Sequence, residues 1–171
     1  MLNESDSMGA VIKGKVWKFG DNIDTDVIIP GRYLTIRDPT QMASHAFEPI
    51  RPDLAKKITK GDIIVSGSNF GSGSSREEAP FVLKTLGIAA IVGQSFARIF
   101  YRNAINSALP IVECPEAVDV LKEGDQISID FSLSKIQTPW GEFSFSPIPE
   151  SVFKILEAGG LVEYLKASLR K

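Results

Sequence analysis

From Ser66 to Ser75 every residue except Asn69 and Phe70 is glycine or serine. The stretch follows a β-branched run, Ile63-Ile64-Val65, and precedes a segment with apolar residues at helical spacing, Ala79, Val82, Leu83 and Leu86. A backbone so poor in side chains can bend sharply and approach other groups closely. The spacing predicts a helix over residues 76–86, with Pro80 in its early turns and Gly87 just past its end. Residues 88–92 then form an unbroken apolar run, the pattern of a strand covered on both faces. Strand, turn, helix and strand in that order make an α/β unit.

The remainder of the chain is consistent with it. Residues 13–17 read as a short strand and residues 19–26 as a polar turn; Val27-Ile28-Ile29 is a brief apolar run stopped by Pro30-Gly31. Residues 32–39 read as an exposed loop with little apolar anchorage, expected to be mobile in the isolated chain. Short helices are expected near residues 40–47 and 52–58. Downstream, a helix over residues 95–107 turns Phe96, Ile99, Phe100 and Ala104 inward and leaves Arg98 and Arg102 on another arc. A strand at 110–112 follows. Residues 126–131, 135–138 and 142–145 alternate polar and apolar around turn signals such as Pro139-Trp140-Gly141, the pattern of antiparallel strands. Helices are expected at 151–158 and 161–169. The fold class is therefore α/β, a mixed sheet flanked by helices, with one domain over residues 11–171 and a flexible extension over residues 1–10.

Charge and composition exclude most other classes. Lys+Arg is 19 and Asp+Glu is 21, a net charge of −2 that gives no electrostatic footprint for nucleic acid. One cysteine, Cys114, and one histidine, His45, rule out a disulfide framework and any zinc or iron–sulfur centre built from this chain's own thiolates. No run of about 20 apolar residues would span a membrane, and the polar, acidic start is unlike a signal peptide. A cytoplasmic location is the expectation, with no metal bound by this chain.

The chemistry concentrates in Asn69-Phe70-Gly71-Ser72-Gly73-Ser74-Ser75-Arg76-Glu77. Unpaired N–H groups at a helix N-terminus favour an anion. Arg76 adds a planar fork for a carboxylate or phosphate, and Ser72, Ser74 and Ser75 add hydroxyls. A P-loop lysine, a dinucleotide fingerprint and a Gly-x-Ser-x-Gly elbow are all missing. Spacing alone leaves three readings open: a bent, capped loop without a ligand, an anion site, or a covalent catalyst. Asp21, Asp24 and Asp26 read as turn and cap residues, because no glutamate closes a calcium loop. His45 reads as a surface or partner-facing residue, Arg98 and Arg102 as solvated or interface arginines, and Cys114 as a small core or loop residue.

Three blocks, in order, resemble the small subunits of 3-isopropylmalate dehydratase: residues 16–34 with Asp24-Thr25-Asp26-Val27-Ile28-Ile29-Pro30-Gly31-Arg32-Tyr33-Leu34, then Gly71-Ser72-Gly73-Ser74-Ser75-Arg76-Glu77, then residues 94–106 with Gln94-Ser95-Phe96-Ala97-Arg98-Ile99. The resemblance covers residues 13–165. It implies the swivelling β/β/α domain of the aconitase C-terminal type. It also implies a hydro-lyase that isomerises 2-isopropylmalate and 3-isopropylmalate through dehydration and rehydration, in the biosynthesis of leucine, a branched-chain amino acid. The partner implied is a large subunit, in a heterodimer or heterotetramer, carrying a [4Fe–4S] cluster whose open iron acts as a Lewis acid on the leaving hydroxyl. By motif, Ser74 matches the base that takes the carbon-bound proton, Arg76 the substrate-carboxylate ligand and Ser75 a contributor to the same pocket. The segment Tyr33-Leu34-Thr35-Ile36 matches the substrate-selecting loop. Relatives that take a homoaconitate-like acid place arginine directly after the Tyr-Leu pair. Here Thr35 and the apolar Ile36 stand there, and Arg37 comes later. That favours isopropylmalate over homoaconitate, methylmalate, citraconate or dimethylmaleate. A non-catalytic anion-binding module is the alternative of another class. One departure is Glu78, where many relatives carry histidine.

Overall fold

The computed structural model describes residues 11–170; the extension expected at residues 1–10 lies outside them. Strand β1 (Val11–Lys18) is followed by α1 (Thr25–Ile28), a 3-10 turn at Gly31–Tyr33, α2 (Pro39–Ala43) and α3 (Leu54–Lys57). Next come β2 (Ile63–Ser66), α4 (Glu78–Leu86), β3 (Ala90–Gly93), α5 (Arg98–Asn106), β4 (Ile111–Glu113) and α6 (Pro115–Val120). Strands β5 (Gln126–Asp130), β6 (Lys135–Thr138) and β7 (Gly141–Ser144) lead to α7 (Glu150–Ala158) and α8 (Leu161–Leu169).

The strands form one seven-stranded sheet in the order β4-β3-β2-β1-β5-β6-β7. Strands β1 to β4 run parallel, and β5 to β7 add an antiparallel half onto the other side of β1. The continuous apolar runs at β2 and β3 are buried at every position, because helices cover both faces of the parallel half. Alternation assigns each side chain to a face. Trp17, Ile64, Ile91 and Ile111 join Phe47, Phe70, Leu83 and Phe100 in one core; Val16, Ile63, Val65, Val92 and Val112 join Val118, Ile129 and Ile136 in the other. Asp62 is buried at the mouth of β2, yet it accepts hydrogen bonds from Trp17 Nε1 at 2.7 Å and from the Thr59 amide at 2.9 Å. Both its oxygens are thereby satisfied, the Thr59 hydroxyl reaching the second at 3.1 Å.

Four expectations need correction. Helix α4 begins at Glu78, so Arg76 precedes the helix instead of lying in its first turn. The Arg76 amide bonds to Ser74 O at 2.9 Å and the Thr25 hydroxyl holds that same carbonyl, which keeps the backbone non-helical. Helix α5 begins at Arg98, and its buried face is Phe100, Ala104 and Ile105; Ile99 is 51% exposed. The loop after Gly31 is anchored, since Tyr33, Leu34 and Ile36 pack against the first core. Helix α6 was absent from the sequence pattern, being a short helix started by Pro115.

Cys114 is buried in the second core, and burial pushes its thiol up. Because the thiolate is the reactive form, Cys114 is expected to resist alkylation in the folded chain and to react fully in denaturant. Rapid labelling of the native chain by iodoacetamide, followed by mass spectrometry, would contradict this.

Candidate active site

In an open parallel sheet, ligands gather outside the carboxyl ends of the strands. Here β2 ends at Ser66 and runs into the glycine–serine loop, while β3 ends at Gly93 and runs into α5. The two connections lie side by side. The Phe70 amide donates to Ser95 O at 3.2 Å, the Ala97 amide to Phe70 O at 2.9 Å, and the Asn69 amide to Ser95 Oγ at 2.8 Å. Gly71, at φ +83°, sits so close to α5 that a Cβ there would lie 2.1 Å from Phe100 Cγ. Only glycine permits both that φ and that approach.

The other side of the loop is clamped by the segment before α1. The Gly71 amide bonds to Ile23 O at 2.7 Å and the Thr25 amide to Ser72 O at 2.9 Å. The buried Thr25 hydroxyl donates to Ser74 O at 2.9 Å. Ser74 and Ser75 themselves are exposed. Ser74 and Ser75 are therefore presented on a backbone fixed on two sides.

Between this loop and the first turn of α5 lies a cavity of about 200 Å³, lined by Ser74, Ser75, Arg76, Arg98 and Asn103 among others. Among the described residues its ionisable lining groups are the two arginines, with no carboxylate, imidazole, lysine or thiol. Helix α5 has no side-chain cap, and the amides of Arg98, Ile99 and Phe100 have no acceptor among the described residues. The helix end that fronts the cavity is thus that of α5, not that of α4 as the local motif suggested. Arg76 is held in place: one guanidinium nitrogen donates to Ile29 O at 3.0 Å and meets Asp26 Oδ1 at 2.5 Å. Asp26, a turn residue by its sequence context, is thus a counter-ion to Arg76, which no local signal discloses; Asp24 does cap α1, accepting from the Val27 amide at 2.9 Å.

Among the described residues no three His, Cys, Asp or Glu side chains converge as metal ligands. With its one cysteine, Cys114, buried, the described residues offer no set of ligands that fits an iron–sulfur cluster.

The family model of the aconitase C-terminal domain matches residues 51–117, which span β2, the glycine–serine loop and α5. Over nearly the whole chain the likeness is to curated small subunits of 3-isopropylmalate dehydratase. That of Hydrogenobaculum is 54% identical over 93% of this chain and 98% of its own length. That of Caldicellulosiruptor bescii is 50% identical over 94% and 98%. The chain belongs to the 3-isopropylmalate dehydratase small-subunit family. A crystal structure of 3-isopropylmalate dehydratase from Methanocaldococcus jannaschii superposes with a TM-score of 0.89 at 44% identity, covering 94% of this chain and 96% of that one. The fold is accordingly that of the aconitase C-terminal domain, with the mixed sheet and flanking helices expected.

For a 3-isopropylmalate dehydratase small subunit, the structure brings Ser74, Ser75 and Arg76 to one cavity and leaves Tyr33, Leu34, Thr35 and Ile36 outside its lining. The two regions still meet: a Cβ on Gly31 would lie 3.3 Å from Arg76 Nη2. Tyr33 stacks on His45, with ring centroids 3.8 Å apart and planes 7° from parallel. Thr35 is exposed, while Leu34 and Ile36 are half-buried against the core. Glu78 opens α4 and is half-buried.

Proposed function

We propose that this chain, with a large subunit, isomerises 2-isopropylmalate and 3-isopropylmalate by dehydration and rehydration, as in leucine biosynthesis. The observation that carries this reading is the cavity whose ionisable lining groups, among the described residues, are two guanidinium groups, with Ser74 and Ser75 in the same lining. Such a site suits a carboxylate, and the described residues that line it include no conventional base. Proton abstraction from carbon then falls to Ser74. Its alkoxide is unfavourable in water, but Arg76, Arg98 and the free amides of α5 stabilise negative charge once water is excluded. Arg76 holds the substrate carboxylate through the nitrogens it does not spend on Ile29 O. Ser75 adds a donor beside it. Because Ser74 is exposed in the isolated chain, exclusion of water is assigned to the docked large subunit. The [4Fe–4S] cluster that the family implies belongs to that partner, since the described residues offer no ligand set for it.

Anaerobic capture of the tagged chain from its own cells, with iron and sulfide analysis of the eluate, tests the assembly. An iron–sulfur partner in fixed ratio is the expected result; recovery of the chain alone would support a free anion-binding module instead.

Ile36 lies outside the lining in the chain alone, but its segment abuts Arg76 through Gly31. Its apolar character supports isopropylmalate as substrate, because burying an isopropyl group is worth roughly 1–3 kcal/mol of discrimination. Ile36→Arg is therefore expected to lower kcat/KM for isopropylmalate about 10- to 100-fold and to raise relative turnover of a substrate with an extra carboxylate. Unchanged selectivity between the two acids would remove the loop from substrate choice.

A further inference from the structure

The turn at residues 45–48 is bonded to the segment that leads up to Tyr33. Glu48 accepts from Tyr33 Oη at 2.5 Å, from Arg32 Nη2 at 3.3 Å and from His45 Nδ1 at 2.6 Å. A carboxylate has no hydrogen to give, so His45 Nδ1 carries the proton. The Arg32 guanidinium lies 4.6 Å from the Tyr33 ring centroid, on a ring already stacked with His45. The Tyr33 hydroxyl, followed by His45, holds the Glu48 carboxyl below the usual carboxylate range. One residue earlier, the Phe47 amide bonds to Ile28 O at 3.0 Å, with Phe47 fully buried against Phe19. The turn therefore grips the preceding segment at both ends, at Ile28 and at Arg32-Tyr33.

What lies between those grips touches the cavity. Ile29 O accepts from Arg76 at 3.0 Å, and Gly31 abuts the Arg76 guanidinium. The Tyr33 amide bonds to Pro30 O at 3.0 Å and the Leu34 amide to Gly31 O at 3.2 Å, so the 3-10 turn links Tyr33 directly to the backbone beside Arg76. We propose that Glu48 is a positioning residue: by fixing Tyr33 and Arg32 it sets the Ile29–Gly31 backbone that orients Arg76 toward the substrate carboxylate. Glu48 does not line the cavity. The inference rests on the reading of Arg76 as a carboxylate ligand.

Glu48→Gln replaces one acceptor by a donor of equal size. Tyr33 or His45 then loses its partner while the packing volume is kept. With the large subunit present, KM for isopropylmalate is expected to rise about three- to tenfold with kcat held within about twofold. Tyr33→Phe, which keeps the stack on His45 and removes only the hydroxyl, is expected to act in the same direction, and the double variant to be less than additive. In the ¹⁵N-labelled full chain alone, the Arg76 Nε–Hε resonance is expected to shift in Glu48→Gln with an unchanged melting temperature. A wild-type KM in both variants overturns the proposal. Should Glu48→Gln fail to fold, Tyr33→Phe decides on the same criteria. If the wild-type pair turns over no hydroxy acid, the proposed function fails, and the Arg76 resonance alone judges the positioning role: a shift supports it and an unmoved signal overturns it.

Discussion

Ser74→Ala is expected to lower dehydratase turnover by on the order of 10²–10⁴-fold without lowering the melting temperature. The separation of the two effects follows from where the residue's bonds lie. Ser74 is exposed, and its structural contact is its backbone carbonyl, which accepts from the Thr25 hydroxyl and the Arg76 amide. Alanine keeps that carbonyl. Its hydroxyl has no partner among the described residues, so its loss leaves no buried group unsatisfied. A circular-dichroism melt and an assay with the large subunit separate the outcomes. Full turnover by the alanine variant would remove Ser74 from proton transfer; a collapse of both fold and activity would make it a structural residue.

Gly71→Ala is expected to cost far more stability than its one methyl suggests. The left-handed backbone at φ +83° penalises any side chain by about 1–2 kcal/mol. The added Cβ would meet the buried ring of Phe100 at 2.1 Å, and overpacking of that kind costs about 1–3 kcal/mol. Together the loss is about 2–5 kcal/mol, read as a lower urea midpoint with an unchanged slope. Activity should fall as well, because relief of the clash pushes the loop away from the first turn of α5 and spoils the cavity. Gly20→Ala is the control: no atom lies within 4 Å of its would-be Cβ, and its stability should match the wild type. Equal midpoints for Gly71→Ala and Gly20→Ala would mean that the loop is far softer than its contacts imply.

These two residues also show what a chain can disclose before it is folded. Gly71, Ser74 and Arg76 were legible because the requirement for bending backbone, hydroxyls and a cation is local and written in consecutive residues. The sheet was legible for a similar reason: unbroken apolar runs at β2 and β3 mark strands covered on both faces, and alternation in β5 marks one that is not. The pairing of Asp26 with Arg76 was hidden, because nothing near Asp26 distinguishes an acidic turn residue from a counion of a distant arginine. The cavity's second wall was hidden likewise. The local motif pointed to α4, the helix that follows the loop in sequence, whereas the loop folds back onto α5 through Phe70 and Ser95. Ile99 misled through a different cause: at helical spacing it belongs to an apolar face, but it stands in the first turn beside the cavity, where the described residues leave it 51% exposed. The anchorage of Tyr33 depends on Glu48 and His45, and turn residues give no periodic signal for such a contact.

The reaction is tested by turnover of the full chain combined anaerobically with the proposed cluster-bearing large subunit, assayed in parallel on 2-isopropylmalate, a homoaconitate-type acid and citraconate. Interconversion of 2-isopropylmalate and 3-isopropylmalate is expected with the highest kcat/KM of the three, and no turnover by either subunit alone. Faster turnover of either other acid, or no turnover of isopropylmalate by a complex with an intact cluster, would contradict it.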